Sequence, residues 1–478
     1  MFTTWTCTLP SSRSGSKAPS PQRRVVFSTE DFAALRRGLF TDDGKENAAF
    51  LACGTSATPK STTFLVRDVI PVPPSEYADR QDYHLEITPR FVNSLIDRYA
   101  GKGFGLIAVH SHPGSEVARY SSSDDFGERR LLSVLTDLLG PARTASLLFA
   151  DNHIVGRALS HRGFEPLNDL VTVGPRLSFT PLTMQSKSPV GPMNGVQSRQ
   201  VLVFGQKGQA LLKQLTVGVV GLGGTGSAVV EQLVRLGVEN FVFIDPDHFE
   251  ASNLSRLYGS RFKDTKGRHL PKVDIAFRLC QEVNPTVKAT LITESVVRQP
   301  VLLQLRDCDV VFSCTDNDWS RSVLNRFAYQ YLVSLIDLGT RVGTREGLVV
   351  GIGGRVARIG PDTACLRCAH HLDPERIRIE AMPAALRESL MREHYIEGIA
   401  IPAPSVISFN TTVASLAVSE LLALALGIGN EDRANELIYD GLEGIAFRAR
   451  PEKEPRCDIC GHSGVKAIGD QQVVSAYE

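Results

Sequence analysis

Residues 217–236 read VGVVGLGGTGSAVVEQLVRL: a short apolar run, a cluster of glycines at 221, 223, 224 and 226, then helical periodicity. A strand feeding through a glycine turn into a helix belongs in a parallel sheet with crossover helices, which sets the fold class of this region as α/β. Gly221 permits the tight turn, Gly223 lets a phosphate approach the backbone, and Gly226 lets helix and strand pack closely. The helix N-terminus stabilises negative charge there. The next strand, 240–245, ends in Asp245 about 20 residues on, where a ribose hydroxyl is expected. A nucleotide is therefore expected, but these features alone serve NAD and FAD enzymes as well as nucleotidyl transferases.

The residues that follow favour ATP over a dinucleotide. Asn253 and Arg256 in SNLSR, then Lys272 in HLPKVD, supply an amide and two cations, which suit a triphosphate. Asp316, in the run CTDN just past a strand at 309–313, falls at a carboxyl end of the sheet and can hold magnesium.

With 478 residues the chain has room for more than one domain. Lys plus Arg (52) balance Asp plus Glu (52), so no net charge drives binding to nucleic acid or anionic lipid. The 42% hydrophobic and 22% charged content is that of a globular protein. Residues 1–24 have no apolar run suited to a signal peptide and read as a disordered arm. The apolar stretch 406–428 is long enough to cross a bilayer, but Ser408, Asn410, Thr411, Thr412, Ser415, Ser419 and Glu420 interrupt it, so it reads as a buried helix and no membrane contact is expected. Pro166, Pro175, Pro181, Pro189 and Pro192 mark 161–195 as a Pro/Gly-rich linker. It separates a small α/β domain of short strands and two helices at 25–160 from the nucleotide domain at 196–465, with a tail at 466–478.

Four of the nine cysteines form the pairs Cys365/Cys368 and Cys457/Cys460. That spacing suits a tetrahedral four-thiolate structural zinc, and the single cysteines suit reduced thiols in the cytoplasm. Cys280 and Cys314 read as buried, inert thiols on a helix face and at a strand end.

In the first domain the apolar run 105–109 ends in His110, Ser111, His112 and Pro113. Residues two apart on a strand face one side, so both imidazoles can meet one ion. A carboxylate at the start of the following helix, expected over 126–139, can be the third ligand. Two imidazoles and one carboxylate leave a zinc position open for water, the arrangement of a hydrolytic site. Glu46, at the head of an expected strand over 47–54, is the candidate general base.

A glutamate on an early strand, then His-x-His-Pro, then Ser-x-x-Asp resembles the JAMM, or MPN-type, zinc isopeptidases. The resemblance implies Glu46 as base, His110, His112 and Asp124 as ligands of a catalytic zinc, and Ser121 as support for the tetrahedral intermediate. The gap after His112 is one residue longer than the family's usual spacing, so the pairs Ser121/Asp124 and Ser122/Asp125 both fit.

The ordered segments GLGGTG, IDPD, SNLSR, PKVD, CTDN, CLRC and CDICG resemble the ThiF/MoeB group and the adenylation domain of ubiquitin-activating enzymes, over 199–462. The resemblance implies a Rossmann-like adenylation domain in which Asp245 binds ribose, Asn253, Arg256 and Lys272 bind the phosphates of ATP, Asp316 holds magnesium and the cysteines hold zinc. It also implies a homodimer in which Arg199 reaches the partner's ATP, and a substrate that is a ubiquitin-like protein with a C-terminal glycine. Family members that form a thioester carry a cysteine between the two pairs; residues 369–456 contain none, and Tyr395 and Ile396 stand near where it often sits. Direct transfer from the adenylate to a conjugating enzyme, a target amine or a sulfur donor is therefore expected. Family members of this kind resemble enzymes of bacterial ubiquitin-like conjugation or sulfur transfer, some of them in phage-defence operons.

The reading of the whole chain is a bifunctional enzyme that trims or deconjugates a ubiquitin-like protein and adenylates its glycine. The alternatives are an adenylyltransferase for sulfur transfer whose first domain binds without cutting, and a nucleotide-dependent oxidoreductase.

Overall fold

The computed structural model describes residues 22–81, 84–183, 195–267, 269–393, 404–430 and 432–474. The first domain contains β1 (Gln22–Ser28), β2 (Ala48–Ala57), β3 (Ser61–Pro71), β4 (Tyr77–Arg80), β5 (Leu85–Ile87), β6 (Gly105–Ser111), β7 (Thr144–Phe149), β8 (Ile154–Ser160), β9 (Gly163–Pro166), β10 (Asp169–Val173) and β11 (Ser178–Pro181). Its helices are α1 (Thr29–Leu39), α2 (Pro89–Tyr99) and α3 (Ser122–Leu139), three where two were expected. Nine of the strands form one sheet in the order β11-β10-β1-β3-β2-β6-β7-β8-β9, and β4 pairs with β5 as a separate ribbon. Strands β2 and β6 lie at its centre, and their antiparallel register sets Ala48 opposite His110. That pairing brings the residue just before β2 to the end of β6.

Of the stretch 161–195 expected as a linker, the described residues 161–183 are not one. Residues 163–181 supply β9, β10 and β11, and β10 pairs in parallel with β1. The prolines do not argue against this, because β9 ends at Pro166, β11 ends at Pro181, and Pro175 lies in the loop after β10, positions where no ladder hydrogen bond is lost. Pro189 and Pro192 lie outside the described residues, as do residues 1–21 of the expected arm; its last three residues open β1.

In the second domain the strands are β12 (Thr216–Val220), β13 (Asn240–Ile244), β14 (Lys288–Ile292), β15 (Val310–Ser313), β16 (Ser334–Arg345), β17 (Leu348–Ile359), β18 (Glu436–Asp440) and β19 (Ile445–Ala449). The helices are α4 (Ser198–Gln214), α5 (Gly224–Arg235), α6 (Lys272–Val283), α7 (Gln299–Leu302), α8 (Asp318–Tyr331), α9 (Pro374–Glu380), α10 (Ala384–Arg392) and α11 (Ile407–Leu426). The sheet order is β14-β13-β12-β15-β16-β17-β18-β19, parallel from β14 to β16 and antiparallel beyond. The chain leaves β12 for β13 on one side and returns to β15 on the other. A crevice therefore opens at the carboxyl ends of β12 and β15, where open α/β sheets bind ligands.

The apolar helix α11 packs on α5, β16 and β17, as expected of a buried helix. Its one carboxylate, Glu420, is buried and meets three arginines: Arg358 Nε at 3.1 Å, Arg433 Nη2 at 2.8 Å and Arg448 Nη2 at 2.6 Å. Removing one member of a buried charge cluster strands the rest without compensation. Glu420→Ala is expected to lower stability by about 3 kcal/mol, read as a drop in the urea unfolding midpoint.

The first domain docks on the amino ends of the parallel strands. Asp309, just before β15, accepts from Thr216 N at 2.9 Å and pairs with Arg24 of β1. Ser61 donates to Asp307 at 2.6 Å, and Leu177 N donates to Leu424 O at 2.9 Å. The expected tail is part of this joint: Ala467 and Val474 are buried, Lys466 pairs with Asp31, and Asp470 bonds Ala57 N, Arg306 and Tyr331 together. Gly54 in β2 is required here, since a Cβ would lie 2.1 Å from Ala467 O.

Candidate active sites

At the crevice, Gly221 has φ +86°, and a Cβ there would lie 2.7 Å from Cys314 O. A Cβ on Gly226 would lie 1.9 Å from Gly221 O, so helix and turn pack as the spacing predicts. Gly223 caps α5, and a Cβ there would meet nothing within 4 Å; the space in front of the helix N-terminus is open to a phosphate. Asp245 is buried and accepts from Leu222 N at 2.5 Å and Asp247 N at 2.8 Å, tying the glycine turn to the end of β13. Burial raises its carboxyl, against the charge of Lys272.

Lys272 opens α6 and its Nζ reaches Asp247 Oδ2 at 2.7 Å. Asn253 is buried, and its Oδ1 accepts from Glu250 N at 3.2 Å, closing the turn that carries Arg256. Arg256 Cδ lies 3.5 Å from where a Cβ of Gly224 would be, beside the first turn of α5. Asp316 is exposed in the loop between β15 and α8 and makes no polar contact among the described residues. Two cations and a free carboxylate thus flank the open helix N-terminus, which fits a magnesium-bound triphosphate. Arg199, near the start of α4, is exposed and apart from this group.

Sequence reasoning missed what supports the crevice. Asp337 in β16 is fully buried, accepts from Ser313 Oγ at 2.8 Å, and pairs with Arg321 and Arg355. Arg321 in turn donates to Thr315 O at 2.8 Å, fixing the loop that presents Asp316. Asn410 of α11 fills the space beside Gly224, where a Cβ would lie 2.2 Å from its Nδ2. The third glycine of GLGGTG, Gly224, was the available signal for that close approach.

The four cysteines converge from the loops after β17 and β19. Cys365 and Cys457 sulfurs lie 3.7 Å apart, and those of Cys368 and Cys460 3.4 Å apart. A Zn–S bond of about 2.3 Å gives tetrahedral edges of about 3.8 Å, so the cluster fits zinc. Disulfides, at about 2.05 Å, are excluded. Cys280 and Cys314 are buried, and burial pushes the first thiol up to about 12 and the second higher. Tyr395 and Ile396 lie outside the described residues, as does Cys7.

In the first domain, His110 and His112 at the end of β6 meet Asp124 at the start of α3. Their donor atoms lie within 4.8 Å of one another. Asp124 Oδ1 is 3.3 Å from His110 Nε2, and Oδ2 is 3.5 Å from His112 Nε2. Bonds of about 2.0–2.1 Å to a tetrahedral zinc place ligand atoms roughly 3.3 Å apart, so this set also fits the ion. His110 Nε2 is buried without a hydrogen bond, consistent with a ligand atom. Of the two carboxylates, Asp124 lies beside the histidines, while Asp125 pairs with Arg157 at 2.5 Å. Ser121 caps α3, accepting from Asp124 N and donating its own N–H to Asp124 Oδ2. Asp124 is held low: burial opposes this, but the charge of nearby His110 and the hydrogen bonds from Ser121 outweigh it.

Glu46, two residues before β2, is buried with Oε1 3.4 Å from His112 Nε2. Burial raises its carboxyl to about 7, against the charge of His110. A carboxyl in that range, beside a cluster able to hold a metal ion, suits a general base.

A doubly wound sheet with an anion-binding glycine turn, flanking cations and a four-thiolate cluster defines a nucleotide-binding α/β enzyme. The ThiF family model matches residues 197–460, and the chain belongs to the ThiF family. It is thereby an ATP-dependent adenylyltransferase. The sulfur carrier protein adenylyltransferase of Thermus thermophilus is 30% identical over 278 residues, which cover 55% of this chain and 89% of the relative. The SAMP-activating enzyme E1 of Haloferax volcanii is 27% identical, covering 58% and 93%. The molybdopterin-synthase adenylyltransferase of Escherichia coli is 26% identical, covering 55% and 95%. The first domain lies outside the residues the family model matches.

Proposed function

We propose that the chain adenylates the C-terminal glycine of a ubiquitin-like protein of the sulfur-carrier type. The observation that carries this is the open N-terminus of α5 flanked by Arg256, Lys272 and Asp316, whose side chain has no polar partner among the described residues. A glycine carboxylate oxygen attacks the α-phosphorus of ATP, the bond to the bridging oxygen breaks, and its electron pair leaves with pyrophosphate. Arg256 and Lys272 neutralise the phosphates, Asp245 and the glycine turn seat the nucleoside, and magnesium, when bound at Asp316, balances the leaving group's charge. The names of the relatives, sulfur carrier and SAMP activation among them, support this class of substrate. Pyrophosphate exchange into ATP that depends on a small protein with a free glycine terminus tests the reading. Exchange with no such dependence, or NADH oxidation instead, would refute it.

Transfer in this reading needs no enzyme-bound thioester. Buried, protonated Cys280 and Cys314 are poor nucleophiles, and an adenylate is a mixed anhydride open to direct attack. Cys280→Ala and Cys314→Ala are expected to leave activation nearly unchanged, with no adduct that reducing agent removes on gels.

A second reading rests on its own observation, the convergence of His110, His112 and Asp124 beside a raised Glu46. The first domain is proposed as a zinc peptidase that exposes or frees the tail of the ubiquitin-like protein. His110, His112 and Asp124 would hold a zinc, which would supply Lewis-acid chemistry there; Glu46 would act as the general base, and Ser121 holds Asp124 in place. Two zinc ions per chain are expected, falling to one in the double variant His110→Ala/His112→Ala. One zinc in the unaltered protein would leave a binding role for the first domain.

The exposed Val196, Leu202 and Val203 around Arg199 are proposed to be covered by a second copy in a homodimer. Gly205, with φ +68° and ψ 172°, kinks α4, so that Gln209 and Leu212 beyond it are buried while the turns before it are exposed. Leu202→Glu is expected to shift the protein to monomer by light scattering. We further propose a cytoplasmic location, a reading supported by the free buried thiols of Cys53, Cys280, Cys308 and Cys314.

A further inference from the structure

We propose that Glu128 is the positioning residue of the His110–His112–Asp124 site, holding the His110 ring so that its Nε2 faces the metal; this rests on the zinc reading of that site. Glu128 is one helical turn beyond Asp124 on α3, on the same face, and is buried. Its Oε2 is anchored twice, by Ser146 Oγ of β7 and by Arg157 Nε of β8, both at 2.8 Å. Arg157 is itself fixed, with its guanidinium carbon 3.5 Å from the Tyr120 ring centre and 3.8 Å from that of Phe164.

The other oxygen, Oε1, is buried, accepts no hydrogen bond among the described residues, and lies 3.7 Å from His110 Nδ1. On the opposite side of the ring His110 Nε2 faces Asp124 Oδ1 at 3.3 Å. The imidazole is thus set between a carboxylate anchored to the sheet and the ligand set. A carboxylate only accepts hydrogen bonds, so the nitrogen facing Glu128 carries the proton and Nε2 keeps its lone pair for the ion. The opposite tautomer would set the Nδ1 lone pair against the buried Oε1, which the anchored carboxylate disfavours. None of this was visible in the sequence, where Glu128 is one more polar residue of an amphipathic helix.

Glu128→Gln decides the matter, because glutamine keeps the shape and can still accept from Ser146 and Arg157, but turns an amide N–H₂ toward Nδ1. A donor there favours the tautomer with the proton on Nε2. Zinc binding to the full chain is measured by chelator competition, with the four-cysteine site as internal reference. The expected result is a first-domain site weakened roughly 10- to 100-fold with the cysteine site and the unfolding midpoint unchanged. Selective ¹⁵N-histidine spectra should show the protonated nitrogen of His110 switching, and Glu128→Asp should recover part of the affinity. Unchanged affinity in Glu128→Gln overturns the proposal. If Glu128→Gln does not fold, Ser146→Ala is read instead: it loosens the carboxylate without removing it, and the first-domain site must weaken several-fold or the proposal fails. Retention of both zinc ions in His110→Ala/His112→Ala would refute the site itself rather than the role of Glu128.

Discussion

Replacing Asp316 by alanine is expected to lower pyrophosphate exchange on the order of 10³-fold, because that carboxylate is the one free anion beside the triphosphate position among the described residues of the crevice. Its side chain is exposed and makes no polar contact among those residues, so the thermal midpoint should not move. The first domain packs at the amino ends of the parallel strands, with the sheet between it and the crevice. Cleavage of a ubiquitin-like precursor by the first domain should therefore continue in the same variant. Exchange that survives Asp316→Ala would mean magnesium is held elsewhere. Joint loss of both activities with a lowered midpoint would mean the loop after β15 matters to folding.

The complementary variant is Glu46→Ala. Loss of a general base costs roughly 10²–10⁴-fold, so precursor cleavage should fall by that order while pyrophosphate exchange proceeds. Two zinc ions should remain, since Glu46 approaches His112 but is not among the three clustered donors. A protein that comes through with one zinc would reassign Glu46 as a ligand. One that cleaves normally would remove the peptidase reading and leave a binding domain.

The two domains differ in how far their chemistry could be read in the chain. The crevice was legible because its parts are local: a glycine that must adopt positive φ, a strand end twenty-four residues later, a cation opening a helix. Each is a backbone requirement that only a few residue types satisfy, so the pattern survives in the order of letters. The four-cysteine cluster was legible for a similar reason, since few roles other than metal binding favour two such pairs.

The His110–His112–Asp124 cluster of the first domain was only half legible. His-x-His on a strand is local, but which of Asp124 and Asp125 lies beside the histidines depended on which side of α3 faces β6, and Arg157 takes Asp125. The prolines of 161–195 misled because composition does not say whether a proline interrupts a strand or ends it; pairing with β1, more than 140 residues away, decides that. The expected tail was misread likewise, since its burial against Gly54 and Gln330 comes from a long-range contact. What the sequence by itself determined was backbone geometry and ligand type at each site. Which carboxylates are anchored, which thiols are buried, and how Glu128, Asp337 and Asn410 support the reactive groups were decided by packing, because those residues act only through partners that the fold brings from elsewhere in the chain.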